Sequence, residues 1–462
     1  MPEQFDLIVL GAGSAARDGA ARASRDHGAH VALVERTRWG GSCPNVACRP
    51  TKAYLVAAEF AHAANELSDW MGVETGPARV DLARVRAWKD SIRRSQQSWV
   101  EVLSDAGYEV VPGEATFTDS RTVRVGGREL TADKILIATG SRTAVPPIPG
   151  VEEIQWLDHV TALELEEIPE SLLVVGAGPV GLEFAQIFRR FGSRVIIVNH
   201  GPQIAARADT EAANELQAAL EEEGIEVILN GGVDRFAANG DRIDADLGGR
   251  TSTVSHVLLA SGRVPNLEEL ALDEIGVETV RSGVIVDEHL RTSVEGIWAA
   301  GDVVAGPQFT PVAQYQARIA VDDMFEGTAR QTDYGVMPTA IFTDPELGGI
   351  GLTEEEAREA GHTVDVVKHP LPNVTRAQYT RTKHGFFKIV FDPQTRRVLG
   401  VHVVSRGASD IVGSLAPALE LGVTVDRLAL VHHVYPSYSE GLKAAAEQAL
   451  VRPRPSPKAP KR

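Results

Sequence analysis

Cys43 and Cys48 are the only cysteines among the 462 residues. Both fall in the segment Gly40-Gly41-Ser42-Cys43-Pro44-Asn45-Val46-Ala47-Cys48-Arg49-Pro50-Thr51-Lys52. With so short a spacer the two thiols can close a small disulfide ring and open it again. A helix that starts after the pair lowers a thiolate's proton affinity and stabilises the reduced form. Two cysteines cannot staple a chain of this length, so a disulfide scaffold is excluded. A structural zinc site fits poorly, because no further Cys or clustered His completes four ligands. Two unrelated buried cysteines are the plain alternative. The Gly-Gly entry and the lack of any other Cys weigh against it.

The flanking sequence supplies elements that can hold such a pair. Leu7–Leu10 is a continuous apolar run, followed by Gly11-Ala12-Gly13-Ser14-Ala15-Ala16, a helix-like stretch to His27, and the run Val31–Val34 ending in Glu35. Strand, glycine turn, helix and strand in that order begin a parallel dinucleotide-binding unit. Gly11 allows the tight turn, Gly13 lets a pyrophosphate reach the backbone, and Ala16 keeps the helix close to the strand. The helix start supplies positive potential for phosphates, and Glu35 stands where a carboxylate accepts from ribose hydroxyls. The pattern returns at Leu172–Val175, Gly176-Ala177-Gly178-Pro179-Val180-Gly181, a helix to Phe191 and the strand Arg194–Val198. Here the ribose-reading position is Asn199, followed by His200, with Arg207 nearby. A neutral side chain beside basic ones suits a 2′-phosphate, so NADPH is expected ahead of NADH, although Asn199 can also bond a plain ribose.

The formal net charge of −17 argues against nucleic-acid binding, and an acidic surface disfavours membrane adsorption. The strand-like run Phe5–Leu10 starts almost at the first residue, no long apolar run appears, and a cytoplasmic protein is expected. Charge-rich helical sequence covers Leu82–Ala106. Beyond Met337 alternating stretches at Gly385–Phe391 and Arg397–Val404 suggest antiparallel strands, with helices over Ser409–Leu421 and Ser437–Val451. Arg452–Arg462, with four prolines and five basic residues, reads as a disordered basic tail.

Together with Ala138-Thr139-Gly140, Gly262-Arg263-Val264-Pro265-Asn266, Ala300-Gly301-Asp302 and Phe342-Thr343-Asp344-Pro345, these motifs make the chain, from about Asp6 to Val451, resemble the pyridine nucleotide–disulfide oxidoreductases. The pattern is most similar to mercuric reductase-like members. The resemblance implies an α/β fold with two Rossmann-like domains and a C-terminal α+β dimerisation domain. Residues 1–150 and 263–335 would bind FAD, 151–262 NAD(P), and 336–451 would form the interface, ahead of the tail 452–462. FAD would be held by Gly11, Gly13, Ala16, Glu35, Ala115, Thr139, Gly140, Gly301 and Asp302, the last on its ribityl chain. Gly176, Gly178, Gly181, Asn199, His200 and Gly262 would hold the nicotinamide nucleotide. Cys48 would lie against the flavin as thiolate and Cys43 would meet a small-molecule substrate, with Lys52 and Glu183 paired beside the ring. Each active site would be completed by the partner chain of a homodimer.

One motif departs from the family. Thiol–disulfide members carry His-Pro-x-x-x-Glu near the C-terminus, with the His as acid/base; here the stretch is Tyr435-Pro436-Ser437-Tyr438-Ser439-Glu440. A phenol, with a reference pKa of about 10, donates a proton but is a poor base at neutral pH. His433 can substitute only if the backbone turns suitably, and interface packing is the plainer reading of His432 and His433. Loss of the imidazole suits a substrate that leaves no thiol to protonate, such as a metal ion held by two thiolates, and the expected substrate is a metal ion, a small disulfide or a reactive electrophile. Against mercury, Val451–Arg462 lacks the C-terminal cysteine pair of mercuric reductases, and Trp99 lies near where their second active-site tyrosine is expected. Dihydrolipoamide dehydrogenase is the alternative, weakened by Tyr435 and Asn199. A non-catalytic flavoprotein scaffold has no use for the Cys43, Cys48, Lys52, Glu183 set.

Overall fold

The computed structural model describes residues 2–327 and 330–452, so all of the expected tail but Arg452 lies outside the described residues. The chain divides into two compact units. The first holds the chain up to Ala53 with Ala83–Val145 and Gly262–Thr332; the second holds Tyr54–Leu82, Pro146–Ser261 and the chain from Asp333.

In the first unit five parallel strands run in the order Ile297–Ala299, Ile135–Ile137, Leu7–Leu10, Val31–Glu35, Glu109–Pro112. Leu7–Leu10 is central and wholly buried, which is why its sequence is apolar without alternation. Helix α1, Ser14–His27, connects the first two strands and ends at Gly28 in the left-handed conformation. Three further helices matter below: α2, Cys48–His62; α3, Gln96–Asp105; and α4, Thr310–Glu326. Gly19 lets α1 approach Leu136, Ala317 and Val321, and Asp18 accepts from Arg318 of α4 at 2.7 Å. The expected helical stretch Leu82–Ala106 is two helices, Leu82–Ser91 and α3. Ser95 separates them because its hydroxyl accepts from Ser98 N at 3.0 Å and caps α3.

In the second unit four parallel strands run Glu226–Ile228, Arg194–Val198, Ser171–Val175, His256–Leu259, beside a three-stranded antiparallel sheet. The C-terminal part is a five-stranded antiparallel sheet in the order Thr339–Ile341, Glu346–Gly351, Val398–Ser405, Phe386–Phe391, Asp365–Pro370. Helices Ala408–Glu420 and Glu440–Leu450 pack on it, near the expected positions. Buried Lys388 reaches Asp209 and Glu211 at 2.8 Å each and Glu354 at 3.2 Å, tying this sheet to the helix Thr210–Glu222 of the same unit. Among the described residues no helix is long and apolar enough to cross a membrane.

Two glycines set the entry to the cysteine segment. A Cβ on Gly40 (φ 88°) would lie 2.5 Å from the Trp99 ring, and one on Gly41 (φ 74°) would lie 2.4 Å from Gly13 Cα. Both the dihedral and the neighbour forbid a side chain at Gly41. Gly28→Ala, where φ is 65° and the space is open, serves as the control. Gly28→Ala is expected to cost about 1 kcal/mol from φ alone. Gly41→Ala should lose at least about 2 kcal/mol more, because Gly13 backbone must move. Urea unfolding of the two variants measures this; equal losses would contradict the close approach.

Candidate active site

The cysteine loop is built on the first nucleotide turn. From Gly41 the chain makes a short helical turn, Ser42–Asn45, and enters α2 at Cys48. Asn45 is buried and its Nδ2 donates to the carbonyls of Trp39 (2.9 Å) and Gly41 (2.7 Å), while Arg93 donates to the Asn45 carbonyl at 2.8 Å. These bonds clamp the five-residue step between the two thiols.

Both thiols are free, Cys43 half-buried and Cys48 exposed. They form a coupled pair. The Cys43 thiol is lowered to about 6, first because the Cys48 thiol donates to its sulfur, with help from the Thr310 hydroxyl and from Arg17 and Lys52 against the effect of burial. The same bond, together with burial, pushes the Cys48 thiol up. The pair therefore gives up one proton readily and keeps the other. Within this pair Cys43 gives up its proton first, and the S–H of Cys48 is what favours the charge there. Thr310, the first residue of α4, lies with its hydroxyl 3.9 Å from the Cys48 sulfur. Sequence reading passed over this residue. The signal was Pro311, which marks a helix start, but nothing local ties that start to cysteines so distant in sequence.

The two nucleotide turns repeat one geometry. Gly11 (φ 114°) and Gly176 (φ 108°) sit where a Cβ would strike the carbonyls of Ala138 (2.3 Å) and Ala260 (2.5 Å). Gly181 lies against the Gly176 carbonyl at a spacing a Cβ could not share, and Ala16 fills the matching place of the first turn, fully buried. The space over Gly13 and Gly178 is open, and each is the N-cap of a helix without a side-chain cap. Glu35 accepts from Ala12 N at 3.0 Å, as well as from Thr37 N and Arg38 N. Asn199 takes the same part in the second turn, accepting from Ala177 N at 3.3 Å, and donates to the Gln203 carbonyl at 3.0 Å. His200 is exposed and its ring lies over Gly232. Arg207 is also exposed.

Three motifs far apart in sequence meet within the first unit. Thr139 and Asn266 exchange side-chain-to-carbonyl bonds at 2.8 and 2.9 Å, and Asn266 N donates to the Gly140 carbonyl. Asp302 accepts from Ser141 at 2.8 Å, Arg263 donates to the same Ser141 hydroxyl at 2.7 Å, and Gly301 N donates to Gln316. The Gly262 carbonyl accepts from Ala144 N. Ala115 is buried, two residues beyond Gly113, whose N–H donates to the Glu35 carbonyl.

Lys52 belongs to the first unit and Glu183 to the second. Within its unit, buried Glu183 accepts from Phe342 N at 3.2 Å, while Gln186 and Arg190 of the same helix bind Asp344. Tyr435 is 70% exposed and precedes a cis proline. Glu440 accepts from Ser437 N at 2.9 Å, and His433 Nδ1 lies 3.2 Å from the Ser439 hydroxyl. Burial and the Lys443 ammonium hold His433 below the ordinary imidazole range. The loop thus spends Glu440 on its own backbone.

Residues 5–317 match the family model described as pyridine nucleotide-disulphide oxidoreductase, and residues 337–446 match that family's dimerisation domain. The chain belongs to the pyridine nucleotide–disulphide oxidoreductases. Its relatives in the family include the mercuric reductase of Streptomyces lividans, 36% identical with 96% of each chain covered, and the dihydrolipoyl dehydrogenase of Geobacillus stearothermophilus, 34% identical with 97% of each covered. Among solved structures it is similar to the Cu(II) complex of the HOCl-induced flavoprotein disulfide reductase RclA from Escherichia coli. That likeness has a TM-score of 0.88 at 29% identity, covering 98% of this chain and all of the other. Members of this oxidoreductase family are FAD-dependent and use NAD(P)H, and they pair through the dimerisation domain. The residues fit both nucleotides: each turn offers uncapped helix N–H groups, open space over its second glycine, and a polar side chain at the end of the next strand.

Thr310→Val removes the hydroxyl that favours the Cys43 thiolate. In wild type, alkylation of the reduced pair should rise through about pH 6. In the variant that midpoint should move up by about half a unit to one unit. An unmoved midpoint would remove Thr310 from the site.

Proposed function

We propose that this oxidoreductase passes electrons from NADPH through its cysteine pair to a soft metal ion held by thiolates, such as Hg(II) or Cu(II). FAD, when bound, carries the two electrons of a hydride from NADPH to the cysteine pair. Gly11, Gly13, Ala16, Glu35, Ala115, Thr139, Gly140, Gly301 and Asp302 would hold it. Lys52 and Glu183 would pair beside it, a buried charge pair that fixes the local field. Gly176, Gly178, Gly181, Asn199, His200 and Gly262 would bind the second nucleotide.

The observation that carries the metal reading is Tyr435. A disulfide substrate leaves as a thiolate that must be protonated, and a half-reduced enzyme needs a base to make the next thiolate. An exposed phenol, with Glu440 turned to Ser437 N, is ill suited to both tasks. A soft cation asks for neither: two thiolates ligate it, the thiol proton leaves to solvent, and as the pair closes to its disulfide the two electrons pass to one Hg(II), or to two Cu(II) in turn, so the reduced metal departs without a proton. Cys43 starts this exchange easily because its proton is already weakly held. The names of the relatives point the same way, mercuric reductase in one case and a Cu(II) complex in another. Homodimer formation would bring Tyr435 and its neighbours to the partner's cysteines. The exposed Leu430, Val431 and Val434 support burial of this surface in a pair.

A small disulfide is the second reading, favoured by His433 on its serine chain. NADPH oxidation by the purified holoenzyme should be stimulated more strongly by Hg(II) or Cu(II) in excess thiol than by lipoamide or glutathione disulfide, by about tenfold or more. Stimulation should vanish in Cys48→Ser. A lipoamide rate above the metal rates would overturn the metal reading. For the nucleotide, Asn199→Asp places a carboxylate where a 2′-phosphate would lie. It should raise KM for NADPH by about tenfold or more while sparing NADH; an equal effect on both would remove Asn199 from nucleotide selection.

A further inference from the structure

Arg17 stands one turn into α1, within electrostatic reach of Cys43. Its guanidinium lies over the Trp99 ring, 4.9 Å from the centroid, and Arg94 lies over the same ring at 5.4 Å. Trp99 is itself fixed: Gly40 makes room for its ring, and it is buried in the core of the first unit. A cation held on an indole face keeps its charge and loses little freedom. Arg17 Nε and Trp99 Nε1 are both buried without a hydrogen-bond partner among the described residues. A buried guanidinium N–H left unpaired is costly, and it points to a ligand atom that supplies the missing acceptor.

The charges around this group are unbalanced. Asp18, the neighbouring acid, is taken by Arg318 of α4. Arg17 brings positive charge to Cys43, and Arg94 lies beside Arg17 on the same ring, while the Thr310 hydroxyl and the Cys48 thiol are the uncharged neighbours of Cys43. Arg17 acts on the Cys43 sulfur and is acted on by it, while burial and Arg94 make its own charge harder to keep. An anion placed between Arg17 and Cys43 would relieve that strain.

We propose that Arg17, held on Trp99 and backed by Arg94, is the anion-recognising group of the Cys43 site and selects substrates that carry a negative charge beside their reacting atom. The fitting class is a small carboxylate-bearing electrophile, or a soft metal presented as its complex with a carboxylate-bearing thiol. This rests on the reading that Cys43 is the thiol that meets the substrate. Nothing in the chemistry requires Arg17 for electron transfer; its part is to orient and select.

The test uses reduced, FAD-loaded enzyme and two alkylating probes of nearly equal size, iodoacetate and iodoacetamide. In both, the Cys43 sulfur forms a bond to carbon and iodide leaves; only the first probe carries a charge. Peptide mass mapping locates the alkylated sulfur. In wild type, iodoacetate should be favoured over iodoacetamide at Cys43 relative to a free thiol. Arg17→Met should lower that preference by about tenfold, and Arg17→Lys should keep part of it. In the same variants, turnover of Hg(II) as its mercaptoacetate complex should lose KM more than kcat, while the cysteamine complex is spared. An unchanged probe ratio in Arg17→Met overturns the proposal even if Cys43 is the alkylated residue. Loss of bound FAD with an unchanged ratio would assign Arg17 to the cofactor and also overturn it. Alkylation at Cys48 in place of Cys43, in wild type and variants alike, would instead overturn the reading on which the proposal rests.

Discussion

The contact on which the first unit depends is backbone against backbone: Gly41 lies so close to Gly13 that a side chain at Gly41 would strike the Gly13 backbone. Gly13 caps α1 and belongs to the turn proposed to receive a pyrophosphate; Gly41 opens the loop that carries both thiols. One steric constraint thereby couples a nucleotide cradle to a redox pair. Asn45, Trp39 and Arg93 then hold the loop by hydrogen bonds that no thiol chemistry disturbs. A pair of sulfurs that must open and close without moving their supports is best served by a rigid frame of this kind.

The electrostatics of the pair follow from its neighbours rather than from either cysteine alone. One proton shared between two sulfurs makes the first thiolate easy and the second difficult, the ordinary outcome when two like groups interact closely. Thr310 adds a donor from α4, and Arg17 and Lys52 add positive charge. The loop 433–440 supplies no comparable group of its own kind: its phenol is exposed, its carboxylate is bound to Ser437 N, and its histidine is held low by burial. A site rich in thiolate and poor in proton donors favours chemistry in which the substrate is a cation to be ligated.

Much of this was legible in the sequence because it is local. A tight turn between strand and helix demands glycine at Gly11 and Gly176, and the strands flanking them are apolar on both faces, so motif and element confirm one another. The sequence offers Glu35 and Asn199 as candidate ribose-facing positions, but not the backbone N–H groups that they bind in the structure. That second duty depends on how the next residues turn back. The break at Ser95 hid inside a charge-rich stretch, since a cap is visible only when the helix before it is known to stop. Thr310 and Arg17 were the real omissions, and Trp99 was legible only as a replacement for an expected tyrosine. Each reaches the sulfurs or their surroundings through tertiary packing, and a residue type on an amphipathic helix does not announce which neighbour it will meet.

The central claim is that Cys43 and Cys48 form the redox centre standing on the flavin nucleotide cradle. Anaerobic titration of the holoenzyme with NADPH tests it most directly, followed by the long-wavelength absorbance that a thiolate against oxidised flavin produces. The account predicts that the band grows with the first two electrons in wild type and is absent in Cys48→Ser, where only the flavin's own bleaching remains. A wild-type titration that bleaches the flavin with no such band, or a band that survives in Cys48→Ser, would contradict it.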